Sequence, residues 1–317
     1  MSETCIIGTR GSALALWQAH AVEGALHDAF PDLDIQIRVI STKGDKILDA
    51  PLAKLGDRDL FTKELEGALL AGEVDMCVHS MKDLAAALPD GCTIAAMLPR
   101  ADVRDVLVCG PRLAGVQNLA AVPAGARLGT GSLRRVAQLR ANFPQVEPTG
   151  IRGNVDTRLE KANGDDYEGA ILAAAGVLRM GRAAEIAAFI PVEQMIPAVG
   201  QGAIGIEVRQ GDERAAAWCR AVNDAPTLSC VAGERRVLRA LEGGCQAPIG
   251  AYARVEDGLL VFDAVVLSLD GARVARSHRV ADAATSPTEL AGAVLDDLSA
   301  QGADAILAQI KAEGEGK

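Results

Sequence analysis

From Cys5 to about Arg209, short runs rich in β-branched residues alternate with amphipathic helical patterns, and this alternation constrains the fold most. CIIGT (5–9) reads as a strand and 12–29 as a helix with Ser12 as its N-cap; IQIRVI (35–40) is a strand, 62–71 a helix with Thr62 near its cap, and DMCVHS (75–80) a strand. A second series opens at VLVCG (106–110). It continues through a strand ending at Gly129, helices over 132–141 and 154–163, and a strand at GAILAA (169–174). IGIEV (204–208) and an Ala-rich helix over 212–222 follow. The alternation predicts α/β domains with mainly parallel sheets. Asn223-Asp224-Ala225-Pro226 reads as a turn and a domain boundary. Beyond it the order changes: a helix over about 228–241, three consecutive strands (249–255, 259–267, 273–281) and two helices (287–300, 303–313) predict a small α+β domain. No sequence repeat is evident.

Composition narrows the function. The 317 residues are 49% hydrophobic and 23% charged, a globular mixture rather than a disordered one. No apolar run approaches the ~18–20 residues that span a bilayer. MSETCIIGTR carries no basic leader followed by an apolar stretch, so no secretory signal is expected. The cysteines, at 5, 77, 92, 109, 219, 230 and 245, never form C-x-x-C, and the four histidines show no metal-ligand spacing. Neither a disulfide framework nor a zinc site is expected, and the setting reads as cytoplasmic and reducing. A net charge of −10 disfavours a nucleic-acid partner. Yet Ala121–Arg182 holds nine basic residues against six acids, a local +3, and eight of the nine are Arg. Arginine grips carboxylate or phosphate through two parallel hydrogen bonds, so the window fits a small polyanionic ligand.

Four motifs bear on chemistry. GQGAIG (200–205) matches the spacing of a dinucleotide loop, but an apolar β-branched run follows where that loop needs a helix, so the match is coincidental. In GTGSLRR (129–135) a strand ends, the chain turns, and Ser132 opens a helix with Arg134 and Arg135 in its first turn. Positive charge there opposes the helix dipole, and a bound anion would reconcile the two; pairing with acids elsewhere is the alternative. HSMKD (79–83) places Lys82 and Asp83 at a strand end, where open α/β sheets bind ligands. LEGGCQAPIG (241–250) puts Cys245 on a Gly-rich turn, more accessible than a cysteine in a core run.

These segments, with TRGSALALWQAH (9–20), PLAKLGDRDLFTKELE (51–66), RGNVDTRL (152–159) and PAVGQGAIGIE (197–207), occur in the order found in the porphobilinogen deaminase (hydroxymethylbilane synthase) family, and the chain resembles that family over nearly its whole length. The resemblance implies two periplasmic-binding-protein-like lobes with mainly parallel sheets and a small α+β C-terminal domain: 1–102 with 203–222 returning to it, 103–202, and 226–317 carrying the cofactor cysteine. It implies a monomeric cytoplasmic transferase of haem and tetrapyrrole biosynthesis, without nucleic-acid or membrane partners. Such enzymes join four porphobilinogen molecules head to tail on a dipyrromethane cofactor held by a thioether, here to Cys245. By family position Asp83 is catalytic, its carboxylate facing the cation that forms when ammonia leaves. Lys82, Thr130, Ser132, Arg134 and Arg135 would hold cofactor carboxylates. Arg10, Ser12, Gln18, Arg152, Arg158, Arg179 and Gln201 would hold substrate or the growing chain.

Two departures stand out. Gly131 replaces a serine common in the family, removing one hydroxyl donor, and Asp57-Arg58-Asp59 replaces a Gly-rich stretch near Lys54. The rival reading is a non-enzymatic two-lobed anion-binding module, which would explain the arginines but not the third domain or the Gly-Gly-Cys turn.

Overall fold

The computed structural model describes residues 3–42, 62–241 and 247–315. Two compact units result, Met1–Ala101 with Gly202–Ser229, and Asp102–Gln201 with Cys230–Lys317. Cys245, Lys54 and the Asp57-Arg58-Asp59 departure lie outside the described residues.

The first unit is built on β1 (Thr4–Thr9), α1 (Ala13–Ala29), β2 (Asp34–Val39), α2 (Lys63–Leu70), β3 (Met76–Ser80) and β4 (Cys92–Met97), with β10 (Ile204–Arg209) and α6 (Glu213–Val222) returning later in the chain. Its sheet runs β2-β1-β3-β10-β4. β1 pairs in parallel with β2 and β3, and β10 runs antiparallel to β3 and β4, so four of the five strands point one way. Ser12 caps α1 as expected, its Oγ accepting from the Ala15 amide at 3.3 Å. One sheet face buries Ala19, Val22 and Leu26 of α1 and Trp218 and Cys219 of α6 against Ile204, Ile206 and Val208. The other face packs Leu65 and Leu69 of α2 on Cys77 and Cys92.

The second unit repeats this plan with β5 (Asp105–Cys109), β6 (Arg127–Gly129), α3 (Leu133–Asn142), β7 (Glu147–Thr149), α4 (Val155–Ala162), β8 (Gly169–Ala173), α5 (Ala174–Arg179) and β9 (Ile186–Ile190). The order is β7-β6-β8-β5-β9, with β6 parallel to β7 and β8 and only β5 reversed. The two sheets are thus topological copies although the sequence shows no repeat. Apolar periodicity and pairing order carry the plan, and neither requires residue identity.

Helix α7 (Ala225–Ala240) starts three residues earlier than its pattern suggests. The Asp224 carboxylate accepts from the Thr227 amide at 3.0 Å. Pro226 sits in the first turn, where no amide proton is needed. The expected turn is therefore a helix cap. An antiparallel meander follows, β11 (Ile249–Glu256), β12 (Leu259–Leu267) and β13 (Val274–Asp282), backed by α8 (Pro287–Ala300) and α9 (Ala303–Glu315). Its Val265 and Leu267 pack on Ala137 of α3 and on Ile196. Glu234 of α7, fully buried, accepts from the Gly200 amide at 2.7 Å and the Ala253 amide at 3.0 Å. No helix among the described residues is long and apolar enough to cross a membrane.

Candidate active site

In the first unit, β1 and β3 are parallel neighbours, so both end at one sheet edge. That edge receives Arg10 and Ser12 from one strand and Lys82 and Asp83 from the other, the place where open α/β sheets bind ligands. Lys82 and Asp83 sit on a single 3-10 turn, Met81–Asp83; Lys82 is half-buried and Asp83 exposed. No hydrogen bond or ion pair engages the Asp83 carboxylate among the described residues. Gln18 is buried on α1, and its Nε2 has no hydrogen-bond partner among the described residues. Beneath the turn, His79 Nε2 lies 2.8 Å from Glu207 Oε2, both side chains buried. The motifs did not reveal Glu207, although an acid inside the apolar run IGIEV is itself a signal, since buried acids need partners.

The second unit gathers its candidates in the same way. β6, β7 and β8 end, and the reversed β5 begins, at one edge. Thr130, Ser132, Arg134 and Arg135 follow β6. Arg152 and Arg158 follow β7, and Arg179 ends the helix after β8. Thr130 Oγ1 accepts from the Ser132 amide at 3.3 Å, while the Ser132 side chain makes no cap bond to the α3 start. The first amides of α3 therefore remain available to an anion. Arg158 donates Nε to the Gly153 carbonyl at 2.8 Å. The Arg152 guanidinium, half-buried, has no partner among the described residues. Burial lowers the Arg179 guanidinium to about 10, which leaves it charged at neutral pH.

Asp105, which no motif included, organises this edge. It is fully buried. Arg134 Nη1 forms an ion pair with its Oδ2 at 2.8 Å. Arg135 donates Nε at 3.1 Å and Nη2 at 2.8 Å to its Oδ1, and Gln201 Nε2 donates to the same oxygen at 2.9 Å. Arg134 also donates to the Ile196 carbonyl at 2.7 Å, and Arg135 to that of Ile171 at 2.9 Å. The two arginines thus meet an acid elsewhere, the alternative to a bound anion considered above. Both side chains are nevertheless buried, and Arg134 Nε has no hydrogen-bond partner among the described residues. Burial alone would raise the Asp105 carboxyl; the Arg134 and Arg135 charges outweigh it and hold the group well below the usual range. Burial lowers Arg134, and Asp105 works against that shift. Gln201, expected at substrate, donates its Nε2 to Asp105 at 2.9 Å and to the Val103 carbonyl at 2.7 Å.

The thiols divide by burial. Burial pushes Cys5, Cys92 and Cys219 up to about 12, Cys77 well above its usual value, and Cys109 upward. In each, burial favours the protonated thiol over the thiolate.

Two family models match the chain, "Porphobilinogen deaminase, dipyromethane cofactor binding domain" over residues 5–217 and "Porphobilinogen deaminase, C-terminal domain" over 228–299. The porphobilinogen deaminase of Moorella thermoacetica is 48% identical over 308 residues, covering 97% of this chain and 96% of that protein. That of Chlorobium chlorochromatii is 43% identical, covering 98% and 99%. Among solved structures, the methionine-binding protein MetQ aligns with a TM-score of 0.44 at 10% identity, covering 73% of this chain and 94% of that one.

Proposed function

The chain belongs to the porphobilinogen deaminase family, and from that membership we propose how its residues share the work. The reaction is the stepwise condensation of four porphobilinogen molecules onto a dipyrromethane primer, with loss of ammonia and hydrolytic release of hydroxymethylbilane. It is a transferase step of tetrapyrrole and haem synthesis.

The buried cluster around Asp105 carries the assignment. Two guanidiniums face one carboxylate, leaving a charge of +1, and Arg134 Nε has no hydrogen-bond partner among the described residues. An uncompensated buried charge costs several kcal/mol, so an anionic ligand is the natural complement. The carboxylates of dipyrromethane fit Arg134 and Arg135 together with the α3 start, Thr130 and Ser132; Lys82 is assigned to cofactor carboxylates by its family position alone. When bound, the cofactor supplies the nucleophilic pyrrole carbon on which the chain grows.

Attachment falls to Cys245. Ile249 opens β11 four residues on, a span of at most ~14 Å at ~3.5 Å per residue. β11 is docked on the segment that holds Arg134: the Ala251 amide donates to the Pro197 carbonyl at 3.1 Å, and a Cβ on Gly250 would lie 2.8 Å from the Ile196 oxygen. The high thiol values of five other cysteines support the same choice. Asp83, exposed and without a partner among the described residues, stabilises the cation left when ammonia departs and relays protons at its carboxylate. Arg10, Ser12, Gln18, Arg152, Arg158, Arg179 and Gln201 take the acetate and propionate groups of substrate and growing chain. The half-buried Arg152 guanidinium has no partner among the described residues. The enzyme acts as a cytoplasmic monomer without membrane or nucleic-acid partners. A non-enzymatic anion module would have no use for the C-terminal domain that the family match covers.

Intact mass tests the reading. The purified protein should exceed its sequence mass by two porphobilinogen units less two ammonias, and Cys245→Ala should not. A porphobilinogen adduct mapped to Cys77 or Cys230 would overturn the attachment.

A further inference from the structure

We propose that Met81 is a positioning residue for the catalytic turn, and that Gly205 is glycine in order to seat it. The inference rests on Asp83 being the catalytic carboxylate.

Pairing register puts the parts together. His79 lies directly opposite Gly205, and Ser80 opposite Ile204. Side chains two apart on a strand share a face, so Cys77, His79 and Met81 form one row and Gly205 and Glu207 the facing row. The last backbone contact of the strand pair is the Met81 amide donating to the Ala203 carbonyl at 3.1 Å. Beyond it the chain leaves the strand pair and makes the 3-10 turn Met81–Asp83.

The side chain of Met81 takes over from the ladder. It is 1% exposed although its neighbour Asp83 is exposed. It lies over Gly205 so closely that a Cβ there would sit 2.1 Å from its Sδ and 3.1 Å from its Cγ. The imidazole of His79, fixed by Glu207, closes the row behind it. Leu84, also 1% exposed, anchors the far end of the turn. Lys82 and Asp83 are therefore carried between two buried apolar side chains. Methionine has three torsions, but an enclosed one has no free volume to swing into, so a methyl at 205 transmits its displacement to the turn. Gly205 is the last glycine of GQGAIG; the turn before it has positive φ at Gly200 and Gly202, and a strand follows, so the motif serves this seat and not a dinucleotide.

The test is a set of variants, each checked for full cofactor by intact mass and assayed well below its own unfolding temperature. Met81→Ala should lose kcat on the order of 10²-fold, the cost of misplacing a catalytic group by about 1 Å, with KM little changed. Met81→Leu, which conserves volume, should stay within about threefold of wild type. Gly205→Ala should lose kcat likewise. Combining it with Met81→Ala lets the new methyl fill part of the space vacated, so the double variant should turn over faster than either single one. Wild-type kcat in cofactor-loaded Met81→Ala, or simple addition of the two losses, overturns the proposal. Should either variant not fold, Met81→Val is expected to lose about tenfold in kcat, and wild-type kcat there overturns the proposal equally. Asp83→Asn runs beside them. Normal turnover in Asp83→Asn removes the underlying reading; an inactive Asp83→Asn beside a normal Met81→Ala removes this proposal alone.

Discussion

A carboxylate with no solvent exposure, such as Asp105, is tolerable only because two guanidiniums reach it. Replacing it by Asn leaves both cations buried and unneutralised, and Asp105→Asn should destabilise the protein by about 3–5 kcal/mol. The pH dependence has a definite sign. The folded-state carboxyl lies below its unfolded value of roughly 3.9, so its contribution is complete at neutral pH and is lost as pH falls below about 4. Urea unfolding at pH 7, 5, 4 and 3 should show the gap between wild type and Asp105→Asn closing at the acid end. A gap constant with pH would mean that the ionised form contributes nothing. Asp83 differs in kind: it is exposed and has no partner among the described residues, so Asp83→Asn should leave stability within about 0.5 kcal/mol of wild type. Turnover should nevertheless fall by ~10²–10³, the usual loss when an electrostatic stabiliser is removed. Near-normal turnover would assign the cation to another group.

At the scale of elements, α3 and the loop after β7 should separate by function. Arg134 lies in the first turn of α3, and Arg134→Leu should leave the cofactor poorly assembled, costing about 1.5–3 kcal/mol for a lost charged hydrogen bond. Arg152→Leu should carry its cofactor normally and stall after brief exposure to porphobilinogen. Intact mass reads both, and identical mass distributions would erase the division into cofactor and chain arginines. Elements of this kind were legible because each carries its own pattern: α1 with its Ser12 cap, α3, α4 and the C-terminal meander lie within a residue or two of the periods that predict them. β4, β7 and β9 were not. CTIAAM, EPT and IAAFI lack alternation, and β7 has only three residues with a proline inside; their strand character comes from the neighbours they pair with. The site divides similarly. Arginines and glycines clustered in local motifs could be read, whereas Asp105 meets Arg135 across 30 residues and His79 meets Glu207 across 128, separations that no local pattern spans.

For the whole molecule, charge and stability are linked through the cofactor. The chain carries −10, and the window Ala121–Arg182 contributes +3, so the remainder carries −10 − 3 = −13. The positive excess is therefore local to that window, and without a ligand the cluster of Arg134, Arg135 and Asp105 keeps a charge of +1 in the interior. A covalent cofactor stays attached in both states, but its carboxylates can reach that cluster only in the native state, so those contacts stabilise folding. Two charged hydrogen bonds at about 1.5–3 kcal/mol each, and a shift of roughly 2–4 °C per kcal/mol for a chain of this class, put the expected gain in Tm on the order of 10 °C. Cofactor-free protein should unfold that much below the loaded form in calorimetry at fixed scan rate. Arg134→Leu should lose much of the gap because the cofactor's carboxylate partner is gone, whereas Arg152→Leu should keep it whole. An equal gap in all three proteins would mean that the cofactor's carboxylates bind somewhere other than the Asp105 cluster, and the assignment of Thr130, Ser132, Arg134 and Arg135 would fall with it.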